Sequence, residues 1–131
     1  MANSSPTTTS AKKILLVEDD DALANVYLTR LAAEGFDARR VADGEDALVM
    51  ATSYQPHLIM LDLMMPKISG FDVLDILRNT KETARTKIIV LSARGQAVDQ
   101  KRARELGADD YLVKSQVTLT DVVDRLKTHL N

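Results

Sequence analysis

"KILLVEDDDA", residues 13–22, runs a stretch of apolar side chains straight into four consecutive acids, Glu18, Asp19, Asp20 and Asp21. The part from Lys13 to Val17 is short, continuous and rich in branched residues, as expected of a strand covered on both faces. From Asp20 the periodicity changes. Leu23, Val26, Tyr27 and Leu31 fall on one face of a helix, and Gly35 is placed to stop it. Asp20 and Asp21 suit the start of that helix, where carboxylates cap free N–H groups and favour the dipole. Glu18 and Asp19 have no such explanation. Adjacent carboxylates at the mouth of a buried strand repel one another, so either their pKa values rise or a cation sits among them.

The same alternation continues outward along the chain. "FDARRVA" (36–42) is a weak strand candidate, and "DGEDALVMATSY" (43–54) reads as a helix starting near Asp43 or Gly44. "HLIML" (57–61) is a strong strand, "MPKISG" (65–70) a loop, and "FDVLDILRN" (71–79) a helix with Phe71, Leu74 and Leu77 on one face. "KIIVLSA" (87–93) and "DYLVK" (110–114) are strands flanking a charged helix, "VDQKRARELG" (98–107). Leu119, Val122, Val123, Leu126 and Leu130 form a last helical stripe. Strands alternating with helices predict parallel β-α-β units with helices on both faces. The expected fold is a doubly wound α/β sandwich with a five-stranded parallel sheet in the flavodoxin-like order 2-1-3-4-5. It occupies residues 12–131 as one domain, behind a flexible polar tail over 1–11.

Composition excludes several classes. The 131 residues contain no cysteine, which removes disulfides, thiolate metal sites and cysteine nucleophiles. A formal net charge of -2 gives no general attraction to nucleic acid or anionic membrane. No apolar run approaches the roughly 20 residues of a membrane span, and "MANSSPTTTS" lacks the apolar centre of a secretory signal. A cytoplasmic location is expected.

In a sheet of this kind ligands bind at the carboxyl ends of the strands. Those ends bring together Glu18 and Asp19, then Asp62, then Ser92 and Ala93, and finally Lys114. Oxygen ligands without cysteine or histidine favour a hard divalent ion, and Mg2+ suits a few carboxylates plus a phosphate oxygen. Lys114 offers a point charge for a phosphoryl oxygen and Ser92 a hydroxyl donor. A carboxylate nucleophile, a metal, a cation and a donor are the parts needed to make and break an acyl phosphate. His57 and His129 stand apart from these acids, and "KRAR" (101–104) reads as a solvated helix face.

The stretches "ILLVEDD", "ADGEDAL", "LIMLDLMMPKISG", "IIVLSA" and "GADDYLVK", in this order and spacing, resemble the receiver domain of two-component response regulators over residues 12 to 130. The resemblance implies that Asp62 is the phosphoacceptor. It implies direct Mg2+ ligation by Asp19, Asp62 and the Met64 backbone carbonyl, with Glu18 acting largely through metal-bound water. Ser92 and Lys114 would follow and hold the phosphoryl group, the Ala93 amide would complete the cradle, and Tyr111 would turn as a switch with Ser92. A sensor histidine kinase or histidine phosphotransfer protein would be the donor. A downstream protein would read the face of the fourth helix, fifth strand and fifth helix, with no direct contact to nucleic acid or membrane. The chain would be a monomer or a weak, phosphorylation-dependent dimer, with no output domain and no enzymatic activity beyond its own phosphotransfer and autodephosphorylation. Met64 and Arg94 would flank the approach of hydrolytic water.

Two positions depart from the family pattern. Ser69 replaces the usual Asp before Gly70, and Ser115 replaces the proline that usually follows Lys114. A cis bond before Ser115 would cost about 3 kcal/mol relative to trans, so a trans Lys114–Ser115 peptide is expected. Other classes fit less well. A phosphatase-like hydrolase lacks a second acid, since Met64 stands two residues after Asp62. A flavodoxin would not set acids where the flavin phosphate binds. A phosphate-independent interaction module would not need the complete set of acids, hydroxyl and lysine.

Overall fold

The computed structural model describes residues 11–131. The expected polar tail lies outside the described residues, apart from Ala11. In chain order the elements are β1 (Lys13–Val17), α1 (Asp21–Ala33), β2 (Asp37–Val41), α2 (Gly44–Ser53), β3 (Leu58–Leu61) and α3 (Gly70–Arg78). They continue with β4 (Lys87–Ser92), α4 (Ala97–Glu105), β5 (Asp110–Val113), a single 3-10 turn (Lys114–Gln116) and α5 (Leu119–Leu130). The five strands pair in parallel in the order β2-β1-β3-β4-β5, the expected flavodoxin-like sheet.

Continuous apolar strands become two cores because successive side chains point to opposite faces. Leu15, Val17, Ile59, Leu61, Ile88 and Val90 face α2, α3 and α4, meeting Ala47, Ala51, Phe71, Leu74, Leu77 and Ala103. Ile14, Leu16, Leu58, Met60, Ile89 and Leu91 face α1 and α5, meeting Ala24, Tyr27, Leu31, Val122 and Leu126. β2 gave a weak signal because it is an edge strand: Asp37 and Arg39 are exposed, and only Val41 is buried.

Helix starts follow the local chemistry. The Asp20 side chain accepts from the Leu23 N–H at 3.0 Å, Asp43 from Asp46 N–H at 2.9 Å, and Ser69 from Phe71 N–H at 3.2 Å. Thr118 and Asp121 form a reciprocal capping box on α5. Gly35 and Gly107 end their helices at φ +89° and +110°, backbone that glycine adopts without steric cost.

The structure corrects two readings. Val26, expected on the buried face of α1, is 50% exposed, because α1 is covered only along the Ala24, Tyr27 and Leu31 stripe. Lys114, read as the last residue of the fifth strand, instead opens the 3-10 turn, and β5 stops at Val113. The Lys114–Ser115 peptide is trans, as expected, since no described peptide bond is cis.

Candidate functional site

β1 and β3 are neighbours in the sheet, so their following residues, Glu18 and Asp62, emerge side by side. The ladder continues past both strands: Glu18 N–H donates to Val41 O at 3.1 Å, and Asp62 N–H to Val17 O at 3.2 Å. Both side chains are therefore fixed at their roots and buried, at 2% and 5% exposure. Asp19 is exposed beside them. One carboxylate oxygen from each of Glu18, Asp19 and Asp62 lies within 4.8 Å of the others.

The four acids of the first loop take four different roles. Glu18 Oε1 accepts from Lys114 Nζ at 2.8 Å and Oε2 from Asp20 N–H at 3.2 Å. Asp20 caps α1, and Asp21 pairs with Arg40 Nη1 at 2.8 Å. Asp19 alone has no hydrogen-bond or ion-pair partner among the described residues. Asp62 Oδ1 accepts from Met64 N–H at 3.0 Å and Oδ2 from Lys114 Nζ at 3.0 Å. The Lys114 ammonium thus bridges two buried acids across 52 and 96 residues of chain.

Electrostatics follow from this crowding. Burial pushes the Glu18 pKa up, and the nearby Asp62 charge adds to the rise against the hydrogen bonds from Lys114 and Asp20. Burial works against the Lys114 ammonium as well. Its hydrogen bonds to Glu18 and Asp62 outweigh that penalty and lift its pKa above the usual lysine value. The lysine is therefore charged at neutral pH.

The remaining predicted residues sit around this pair. Ser92 ends β4 fully buried, its Oγ accepting from Arg94 N–H at 3.2 Å, and Ala93 follows on the exposed loop. Tyr111 lies inward in β5, 5% exposed, and its hydroxyl donates to Arg94 O at 2.7 Å. Burial raises the Tyr111 pKa. Met64 is 50% exposed. Arg94 leans on α4, with Nη1 3.5 Å from Asp99 Oδ1. Met64, Phe71, Arg94 and Arg102 line an open cleft of about 550 Å³ beside the acids, with Arg102 stacked 4.1 Å above the Phe71 ring. His57 and His129 do not join the acids: His57 accepts from Lys13 N–H at 2.9 Å, and His129 lies 3.0 Å from Asp110.

Sequence reading missed two supports. Arg40, in the weak strand, donates from Nε to the Glu18 carbonyl at 2.8 Å. Its only sequence signal is that it follows Arg39 directly, so strand alternation turns it to the opposite face. Gly70 packs its Cα on the Asp62–Leu63 backbone, where an added Cβ would stand 2.4 Å from Leu63 Cα and 2.5 Å from Asp62 O. Read from sequence, Gly70 is only a loop former.

Comparisons with known proteins agree with this geometry. The family model for the response regulator receiver domain matches residues 14–127. The chain is 40% identical over 102 residues to the DNA-binding dual master transcriptional regulator RpaA of Synechocystis, covering 78% of this chain and 42% of that protein. It is 38% identical over 118 residues to the phosphate regulon transcriptional regulatory protein PhoB of Rhizobium meliloti, covering 90% and 52%. The chain thus spans about half, or less, of the curated relatives it matches. Among solved structures, the BeF3-activated N-terminal receiver domain of Klebsiella pneumoniae RstA superposes with TM-score 0.85 at 26% identity, covering 92% and 99%. With five parallel strands in the 2-1-3-4-5 order and acids at their carboxyl ends, this chain belongs to the response regulator receiver domain family.

Proposed function

We propose that this chain is a phosphoacceptor of a two-component phosphorelay and that Asp62 takes the phosphoryl group. The observation that carries the reading is the Lys114 ammonium held between buried Glu18 and Asp62 while Asp19 stays free beside them. An Asp62 carboxylate oxygen attacks phosphorus, the P–N bond to the donor histidine breaks, and its electron pair returns to the imidazole nitrogen. The product is an acyl phosphate on Asp62.

The donor set fits Mg2+: three carboxylates with oxygens within 4.8 Å and no softer ligand in the cluster. Asp19, Asp62 and the Met64 carbonyl would hold the ion, with Glu18 acting through its water. When bound, it neutralises phosphoryl charge. Lys114 pairs with a phosphoryl oxygen, Ser92 donates its hydroxyl and the Ala93 N–H completes the cradle. Ser92 and Tyr111 then convey the change to the face of α4, β5 and α5.

The donor is a sensor histidine kinase or a histidine phosphotransfer protein, and a downstream protein reads the switched face. The chain acts in the cytoplasm, as a monomer or a weak phosphorylation-dependent dimer, and needs no direct contact with nucleic acid or membrane. Among the described residues, no helix is long and apolar enough to cross a membrane. Its only chemistry is its own phosphorylation and dephosphorylation.

Incubation with acetyl phosphate, with and without Mg2+, tests the reading by intact mass. One adduct is expected, dependent on Mg2+ and abolished by Asp62→Asn. An adduct that persists on another residue overturns the assignment. Beryllofluoride, which activates the Klebsiella relative, should shift the spectrum of the Mg2+-loaded protein; no change would favour a phosphate-independent module.

A further inference from the structure

Asp19 has no protein partner for its carboxylate, so its direction depends on the backbone that carries it. That backbone is held from one side. Arg40 stands opposite Leu16 in the β1–β2 ladder, one residue before the end of β2. Its Nε donates to the Glu18 carbonyl at 2.8 Å, and the next residue, Val41, accepts from the Glu18 N–H at 3.1 Å. The Glu18 carbonyl belongs to the peptide unit that leads into Asp19. Peptide planarity means that fixing this oxygen fixes the plane from which the Asp19 side chain departs. Arg40 Nη1 also reaches Asp21 at 2.8 Å, so one guanidinium ties the Glu18 carbonyl to the first residue of α1.

Arg40 is poorly explained as a structural ion pair. The Asp21 side chain is 85% exposed, and such pairs contribute little to stability. Arg40 Nη2 is the one buried side-chain nitrogen or oxygen left without a partner among the described residues. An unsatisfied buried donor is unfavourable, so the side chain is not optimised for its own hydrogen bonding. Its charge also works against a cation bound by the acids nearby.

We infer that Arg40 is a positioning residue for the divalent ion, aiming the Asp19 carboxylate by holding the Glu18 carbonyl. The inference rests on the Mg2+ reading of the acid cluster. It has a distinctive sign. If Arg40 acted only through its charge, removing it would tighten Mg2+ binding. If it aims Asp19, removal weakens binding although a repelling cation is lost.

Calorimetric titration of the 131-residue chain with Mg2+, without any phosphodonor, reads this directly. Arg40→Met is expected to weaken Mg2+ binding about tenfold, the scale of lost outer-shell support at metal sites. Arg40→Lys keeps the charge but lacks the planar guanidinium whose Nε reaches the Glu18 carbonyl, so it is expected to weaken binding too. Asp21→Asn is expected to leave affinity nearly unchanged. Thermal unfolding in EDTA, run in parallel, confirms that each variant is folded at the titration temperature. Equal or tighter binding by folded Arg40→Met overturns the inference, and so does parental affinity in Arg40→Lys. If Arg40→Met fails to fold, the lysine variant decides alone. A parent protein without saturable Mg2+ binding would instead overturn the reading of the site itself.

Discussion

At the scale of the residue, Lys114 decides how three acids coexist. Its ammonium bridges Glu18 and Asp62, whose side chains are 3% and 6% exposed. Lys114→Ala should destabilise the metal-free protein by about 2 kcal/mol, less than a fully buried pair because the lysine keeps a fifth of its side chain in water. Mg2+ affinity should hold or rise as a repelling charge is lost, so added Mg2+ should stabilise the variant more than the parent. Unfolding midpoints across a Mg2+ series test this, and a sharp loss of Mg2+ affinity would recast Lys114 as a support for the acids. Met64 is the second residue of consequence. It is half exposed beside the acceptor, and it can exclude water but cannot orient it. Arg94 leans toward Asp99 and lines the same cleft as Met64. Met64→Asn should shorten the life of the phosphorylated state, measured as decay after donor removal at fixed Mg2+; equal or slower decay would rule out Met64 as the brake.

At the scale of the element, α3 begins against the Asp62–Leu63 backbone. Gly70 N–H donates to Leu63 O at 3.1 Å, and no side chain stands between the helix start and the Asp62–Leu63 backbone. A methyl there meets backbone rather than a flexible side-chain end, so the helix or the loop must move. Gly70→Ala should cost about 2 kcal/mol, within the range for overpacking, and should slow phosphorylation of Asp62 by displacing it. Denaturant unfolding and acetyl phosphate labelling of the same variant check both parts. Unchanged labelling in a destabilised variant would separate helix packing from the site.

At the scale of the whole molecule, Asp110 ties three elements together. It opens β5, 8% exposed. Oδ2 accepts from Arg125 of α5 at 2.6 Å and lies 3.0 Å from His129, Oδ1 accepts from the Tyr111 N–H at 2.8 Å, and Arg104 of α4 lies 4.0 Å away. Burial favours the neutral acid, but the hydrogen bonds from His129, Arg125 and Tyr111 outweigh it and hold the Asp110 pKa below the usual value. A depressed folded pKa gives stability that is fully present above the unfolded value, about 3.9. That stability is lost as pH falls through the folded value. The stability gap between parent and Asp110→Asn should therefore be widest near neutral pH and narrow below about pH 4. Urea unfolding of both proteins across this range measures it, and a gap that stays constant would show that the contacts do not depend on the carboxylate's charge.

The same molecule shows where reading ends and folding begins. β1, β3 and β4 were legible because four consecutive apolar residues have few other ways to be buried, and the helices because their stripes and caps are local chemistry. The acids, serine and lysine could be assembled because a parallel sheet brings its strand ends to one edge whatever the loops do. Contacts without local periodicity could not be read. Val26 is exposed because no neighbour covers it, and Lys114 leaves the strand for a turn while its ammonium reaches back to two distant acids. Arg40 finds the Glu18 carbonyl across 22 residues, and Gly70 is needed for the close approach of a backbone seven residues away. The elements, their order and the residue types at the edge follow from neighbours along the chain. Which acid is paired, which is free and what holds the free one in place were decided only by the tertiary structure, because charge pairing and close packing depend on neighbours in space.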